Sequence, residues 1–205
     1  HPPGRPRAVV PVHLYGHPSD MKAINQVAEE NGLYIIEDCA QAHGARLDGR
    51  FVGSWGHIAA FSFYPTKNLG ALGDGGAVVT SDLKLADRVR LLREYGWRDN
   101  RISEVPGGNS RLDPIQAAIL RVKLAYLKAE NRQRVSHAEH YGELLQSDHI
   151  KLPETSLGAQ HVYHQFVIRT PQRNNLSRYL RDRGVGTAIH YPVPIHRHPA
   201  YAGRL

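Results

Sequence analysis

Apolar and polar positions alternate in blocks that predict short strands joined by amphipathic helices. The run Ala8-Val9-Val10-Pro11-Val12-His13-Leu14-Tyr15-Gly16 reads as a strand, and Leu33-Tyr34-Ile35-Ile36 as a second. Between them Met21, Ile24, Val27 and Ala28 fall on one helical face, with Ser19 placed to cap the start and Gly32 to stop the end. A strand, a helix and a strand with so short a crossover form a βαβ unit, which predicts parallel pairing. A polar turn at Asp48-Gly49-Arg50 precedes strands over 58–63 and 77–80, and Ser81 is placed to cap a helix to about Tyr95, closed by Gly96.

Residues 97–109 carry Gly, Pro, Asn and Arg without a period and predict a long ordered loop. Asp113-Pro114 opens a long helix reaching about Leu145, with Ile115, Ala118, Ile119, Val122, Leu124 and Leu127 at helical spacing. After Pro153 the pattern predicts a strand over 162–169, a helix over 176–183 stopped by Gly184, and a strand over 185–189. The expected organisation is therefore a large α/β domain over 1–147 and part of a small α+β domain over 148–205.

Two chemistry-bearing residues sit where such a sheet binds ligands, beyond the carboxyl ends of its parallel strands. The strand over 33–36 delivers Glu37-Asp38, and the strand over 58–63 feeds an apolar loop holding Lys67. Successive strand residues face opposite ways, so Glu37 and Asp38 are not equivalent. An amine held in an apolar loop is a candidate nucleophile and proton carrier. A carboxylate nearby is the partner that a pyridinium cofactor needs. On these two residues alone, a solvated lysine and a strand-end carboxylate are the better account of the pattern.

Composition narrows the class. With 205 residues, 41% hydrophobic and 22% charged, the chain can bury a sizeable core. No apolar run has the length of a membrane span, and Val9-Val10-Pro11-Val12 is too short for a signal-peptide core. The net charge of +7 raises the question of nucleic acid, but the basic residues are scattered among acids and no recognition motif with interleaved aromatics occurs. A basic surface suits a diphosphate-bearing substrate equally. One cysteine, Cys39, excludes an internal disulfide and points to a reducing cytoplasm. The 13 histidines include no His-Glu-x-x-His pattern, so no metal is expected. The glycines at 70, 73, 75 and 76 lack the spacing of a dinucleotide or phosphate loop and read as turn geometry.

Six ordered segments carry a resemblance. They are Glu37-Asp38-Cys39-Ala40-Gln41-Ala42-His43-Gly44-Ala45, Phe61-Ser62-Phe63-Tyr64-Pro65-Thr66-Lys67-Asn68-Leu69-Gly70, Gly73-Asp74-Gly75-Gly76-Ala77, Gly108-Asn109-Ser110-Arg111-Leu112, Ile115-Gln116-Ala117-Ala118 and His190-Tyr191-Pro192-Val193-Pro194-Ile195-His196. Together, from about Val9 to about Tyr201, the chain resembles the DegT/DnrJ/EryC1/StrS aminotransferases. The resemblance implies an α/β, fold-type I transferase with a mostly parallel sheet flanked by helices. It also implies pyridoxal 5′-phosphate as cofactor.

In that reading Lys67 bonds the cofactor aldehyde and afterwards moves a proton, and Asp38 faces the pyridine nitrogen. Gln41 lies near the phenolic oxygen, Ser62 contacts the phosphate, and Asn109 reaches the same phosphate across a homodimer interface. Tyr191 and His196 close over the sugar, and His43 faces the substrate. Residue types leave other roles open: Gln41 could open a turn, Asn109 follows a glycine pair that is also a turn sequence, and His43 fits a hydrogen-bonded core histidine.

The implied reaction moves an amino group from an amino acid, glutamate, to a nucleotide-diphosphate keto-deoxysugar. Gly73-Asp74-Gly75-Gly76 and His190-Tyr191-Pro192-Val193-Pro194 are most similar to enzymes aminating C3 of dTDP sugars. Thr66 stands where many of these enzymes have glycine, and its branched side chain disfavours positive φ there. Two rivals remain: a sugar dehydratase of the same fold, whose histidine in place of the lysine Lys67 contradicts, and a regulatory protein that keeps the pocket for ligand response. The first residues read as mid-sheet and the resemblance stops short of the family's last helices. A truncated chain with weak activity by itself is therefore expected.

Overall fold

The computed structural model describes residues 4–203. Its main sheet has four strands in the order β1-β2-β5-β6, with β1 Ala8–Val9, β2 Tyr34–Asp38, β5 Ile58–Ser62 and β6 Gly76–Val79. As the βαβ pattern predicts, β1 pairs parallel with β2. Strand β5 also runs parallel to β2, with Asp38 opposite Ala60, and β6 closes the sheet antiparallel to β5. β1 is shorter than the strand expected over 8–16, because Pro11 has no N–H for the ladder. Pairing resumes as a lone bridge between Val12 and Asp38 before a 3-10 turn at Leu14–Gly16.

Helix α1, Met21–Asn31, crosses from β1 to β2 and ends on Gly32 at φ 61. Its cap is Asp20, which accepts from the Ala23 amide at 3.1 Å, and not Ser19, whose hydroxyl donates to the Val12 carbonyl. Helix α2, Leu83–Arg93, is likewise capped by Asp82 in place of Ser81. In both cases a carboxylate, the stronger acceptor, stands one residue nearer the helix than the serine. Helix α3, Pro114–Leu144, begins at the expected Asp113-Pro114 pair. Its packed face differs from the expected one: Leu120 is buried, while Ile115, Val122 and Leu124 are exposed.

A smaller sheet has the order β4-β3-β7, where β3 is Arg46–Leu47, β4 Arg50–Phe51 and β7 Ala159–Gln160. Asp48 (φ 47) and Gly49 (φ 77) join β3 to β4 in the doubly left-handed turn that matches strand twist. β7 takes the place of the strand expected over 162–169. That later stretch instead docks by single contacts, as where the Val162 amide donates to the Gly16 carbonyl. No ladder forms over 185–189, and helix α4 occupies Arg173–Arg181, before a left-handed Gly184.

The chain divides into two compact units. The larger runs up to Gln146 and includes Leu152–Val167, and the smaller holds Ser147–Lys151 with the residues from Ile168 on. The larger unit's core has one cluster around Met21, Ala28, Ile35 and Leu47 and another around Cys39, Ala42, Ala45, Val52, Ala59 and Val162. Among the described residues no helix is long and apolar enough to cross a membrane.

Candidate active site

Parallel pairing puts the ends of β2 and β5 side by side, so Asp38 and Ser62 leave the sheet at the same carboxyl edge. Asp38 is fixed by its backbone, which donates to Pro11 and accepts from His13, and by Oδ1, which accepts from the Ala40 amide at 3.0 Å. The half-buried carboxylate therefore has a set direction. Beyond Ser62, a tight turn returns the Lys67 amide to the Tyr64 carbonyl at 2.9 Å, leaving the Lys67 side chain half-buried. Thr66 does not adopt a positive φ, so its branched side chain sits in this turn without left-handed strain. Gly70 is needed where the loop returns, because a Cβ there would overlap the Pro65 carbonyl oxygen.

Gln41 is buried, and its Oε1 accepts from the Tyr15 amide at 2.6 Å, which fixes the orientation of its amide. Ser62 Oγ accepts from the Tyr64 amide at 3.3 Å. His43 is buried against the rings of Phe61 and Phe63. Among the described residues neither of its ring nitrogens completes a hydrogen bond, although the Ser62 backbone lies close by. Burial lowers its pKa to about 4, the Ser62 backbone opposes that shift and the Lys67 ammonium adds to it. His43 is thus a neutral ring within the electrostatic reach of Lys67. Asp38, Gln41, His43, Ser62 and Lys67 all belong to this edge.

Other expected residues lie elsewhere. Asn109 is exposed on the loop after α2, where its Oδ1 accepts from Arg111 Nε at 2.8 Å. It borders a cavity of about 1140 Å³ lined by Gly75, Gly76, Arg90, Arg93 and Arg111. Tyr191 and His196 are exposed residues of the smaller unit.

The sequence marks Glu37 only as facing away from Asp38. In the fold it is the most heavily bonded carboxylate of the edge. Oε2 accepts from His13 Nε2 and the Gly53 amide, and Oε1 from the amides of Trp55 and Gly56. Burial raises its pKa, but the His13 bond and the Gly56 and Gly53 amides outweigh that and hold the carboxyl below its usual range. His13, Glu37 and Cys39 bring possible metal-ligating atoms within 4.8 Å. The Glu37 and His13 atoms are already engaged, because His13 Nδ1 accepts from the Ser19 amide. Burial, then the charges of Glu37 and Asp38, push the Cys39 thiol far up. No local signal in the sequence marks the partnership of His13 with Glu37.

The donor set fits pyridoxal phosphate. A fixed carboxylate suits a pyridinium N–H, an amine suits an aldehyde, and the Ser62 hydroxyl suits a phosphate. The unsatisfied nitrogens of His43 mark a place where a bound group would find polar partners.

Comparison with known proteins agrees. Residues 3–205 match the model of the DegT/DnrJ/EryC1/StrS aminotransferase family. The chain is 54% identical over 199 residues to the erythromycin biosynthesis sensory transduction protein EryC1 of Saccharopolyspora erythraea, covering 97% of this chain and 54% of that protein. It is 52% identical over 200 residues to the dTDP-3-amino-3,4,6-trideoxy-alpha-D-glucose transaminase of Streptomyces venezuelae, covering 97% and 53%. Among solved structures, S. venezuelae DesV in complex with a ketimine intermediate superposes with a TM-score of 0.93 at 53% identity, over 96% of this chain and 53% of that one. NtdA of Bacillus subtilis with bound cofactor PMP gives 0.84 at 34% identity, over 96% and 48%. The chain thus spans about half the length of the curated relatives it matches. The α/β fold of type I, with its mostly parallel sheet, is borne out.

Proposed function

We propose that this chain, which belongs to the DegT/DnrJ/EryC1/StrS aminotransferase family, is the cofactor-bearing part of an enzyme that aminates a nucleotide-diphosphate keto-deoxysugar. The observation that carries the reading is the placement of Asp38 and the Lys67 loop at the ends of two adjacent parallel strands. Bound there, pyridoxal phosphate would supply an aldehyde and an electron-accepting ring. Lys67 Nζ would hold the aldehyde and carry a proton, and Asp38 would hold the pyridine nitrogen in its charged form. Gln41 would lie near the phenolic oxygen, and the Ser62 hydroxyl would bind the phosphate together with Asn109 of a second copy, making the unit a homodimer. His43, Tyr191 and His196 would contact the sugar.

The names of several relatives support a dTDP sugar aminated at C3. Glutamate is the proposed donor and the cytoplasm the proposed setting. The domain division near residue 147 would then separate the cofactor-bearing domain from a smaller one.

A second reading has support in the same comparisons, since relatives at 54% and 45% identity are named as a sensory transduction protein and a pleiotropic regulatory protein. One experiment addresses both: a visible-absorbance titration with pyridoxal phosphate, repeated with Lys67→Ala. A band that needs Lys67 and bleaches with glutamate supports the transaminase. A band that glutamate leaves unchanged favours a ligand-responsive regulator, and a band surviving Lys67→Ala removes Lys67 from its role.

A further inference from the structure

Three polar residues on one side of α3 meet the loop that follows Lys67. Gln116 Oε1 accepts from the Leu72 amide at 2.9 Å, Lys123 Nζ donates to the Gly70 carbonyl, and Asn131 Oδ1 accepts from Asn68 Nδ2 at 2.9 Å. Seven and then eight residues separate them on the helix, about two turns each time, so they share a face. On the loop the contacts step by two residues. The residues between, Leu69 and Ala71, are buried in a cluster with Leu120.

The last contact of the three is the deepest. Asn68 and Asn131 are 5% and 8% exposed. Asn68 Nδ2 also donates to the Val162 carbonyl at 3.1 Å, and its Oδ1 pairs with His164 Nδ1 at 3.1 Å. Asn131 Nδ2 donates to the His43 carbonyl at 2.8 Å. The adjoining Gly44 has φ +85, and a Cβ there would lie 2.9 Å from Asn131 Nδ2. Asn131 therefore holds two segments at once: the one five residues beyond Asp38, and the one immediately after Lys67.

We infer that Asn131 and Asn68 are positioning residues for Lys67, with α3 as the rigid element that fixes the lysine loop against the Asp38 segment. This rests on Lys67 being the residue that takes the cofactor aldehyde. Buried amides whose oxygen and nitrogen are both hydrogen-bonded specify one geometry, because any displacement leaves a polar group unpaired. A displacement of about 1 Å at a reacting group can cost a hundredfold in rate.

The test labels the full 205-residue chain with pyridoxal phosphate, reduces it with borohydride, and measures by peptide mass spectrometry the labelling of Lys67 relative to the exposed Lys84. In the unaltered chain Lys67 should be labelled preferentially. Asn131→Leu and Asn68→Asp should each lower the Lys67-to-Lys84 ratio at least about tenfold. Leu91→Ala, which opens a cavity at a buried position away from the loop, should destabilise the chain and leave that ratio within about twofold. Gln116→Ala and Lys123→Ala test the shallower contacts in folded protein should the buried variants not fold, each lowering the ratio severalfold. A ratio unchanged in the folded variants, or lowered equally by Leu91→Ala, overturns the inference and leaves the role of Lys67 standing. No preference for Lys67 in the unaltered chain overturns that role, and the inference with it.

Discussion

His13 Nε2 meets Glu37 Oε2 at 3.0 Å in a place where neither side chain has exposed surface. Because His13 Nδ1 accepts from the Ser19 amide, Nε2 must carry the proton, so the imidazole donates and the carboxylate accepts. With three backbone amides also donating to it, Glu37 ties the loop before α1 and the turn at 53–56 to the strand that ends in Asp38.

Replacing that carboxylate should be costly. In Glu37→Gln the new amide group must face donors whichever way it turns, since both oxygens accept two hydrogen bonds. Urea unfolding should show a loss of roughly 3 kcal/mol or more. His13→Ala removes one donor of four and should cost less, about 1–3 kcal/mol.

Stability should fall on mild acidification. His43 and His161 are both buried, and burial lowers each pKa from 6.5 to about 4, with His17 adding to the effect on His161. Between those values the unfolded chain binds protons that the folded chain does not, so stability is full above 6.5 and declines toward about 4. Each histidine steepens the slope by up to about 1.4 kcal/mol per pH unit. Glu37, whose pKa is lowered on folding, adds a further loss as pH falls below 4.5. Unfolding midpoints across the interval should flatten in His43→Phe and His161→Asn, and an unchanged slope would refute the assignment.

Two glycines should respond to alanine in opposite ways. Gly70→Ala would drive a methyl into the Pro65 carbonyl and displace the Lys67 loop, so pyridoxal phosphate should lose its visible band with this variant. At Gly142, near the end of α3, an added methyl would meet open space, with nothing within 4 Å. Gly142→Ala should raise the unfolding free energy by roughly 0.5–1 kcal/mol with the band unchanged.

Cys39 should be inert. It is fully buried beside two carboxylates that disfavour its thiolate. A thiol-specific chromogenic reagent should react at native pH only as fast as the chain unfolds, and fully in denaturant. Rapid stoichiometric reaction of the native chain would contradict this.

What the sequence reveals is local. Met21, Ile24, Val27 and Ala28 show α1 by period alone, and the parallel β2 places Asp38 at a ligand-binding edge before any family is considered. The true caps lie one residue beyond the expected serines because each serine precedes an aspartate, and pattern alone does not rank the two acceptors. The packed face of α3 is not legible because a helix with apolar residues on several sides does not announce which side meets the protein. Glu37 and Asn131 escape sequence reasoning for a different reason. Their partners lie 24 and 63 residues away in sequence, so only the fold brings these groups together.

The alternation from Asn68 to Leu72 gives this segment a property that loops seldom have. Surface loops ordinarily tolerate added residues. Here one extra residue would put every later side chain out of phase, sending Leu69 or Ala71 toward the polar contacts and polar groups toward Leu120. The stretch should therefore be as strict about its length as a strand, and added residues belong in an exposed turn such as 48–49, where Gly49 borders open space.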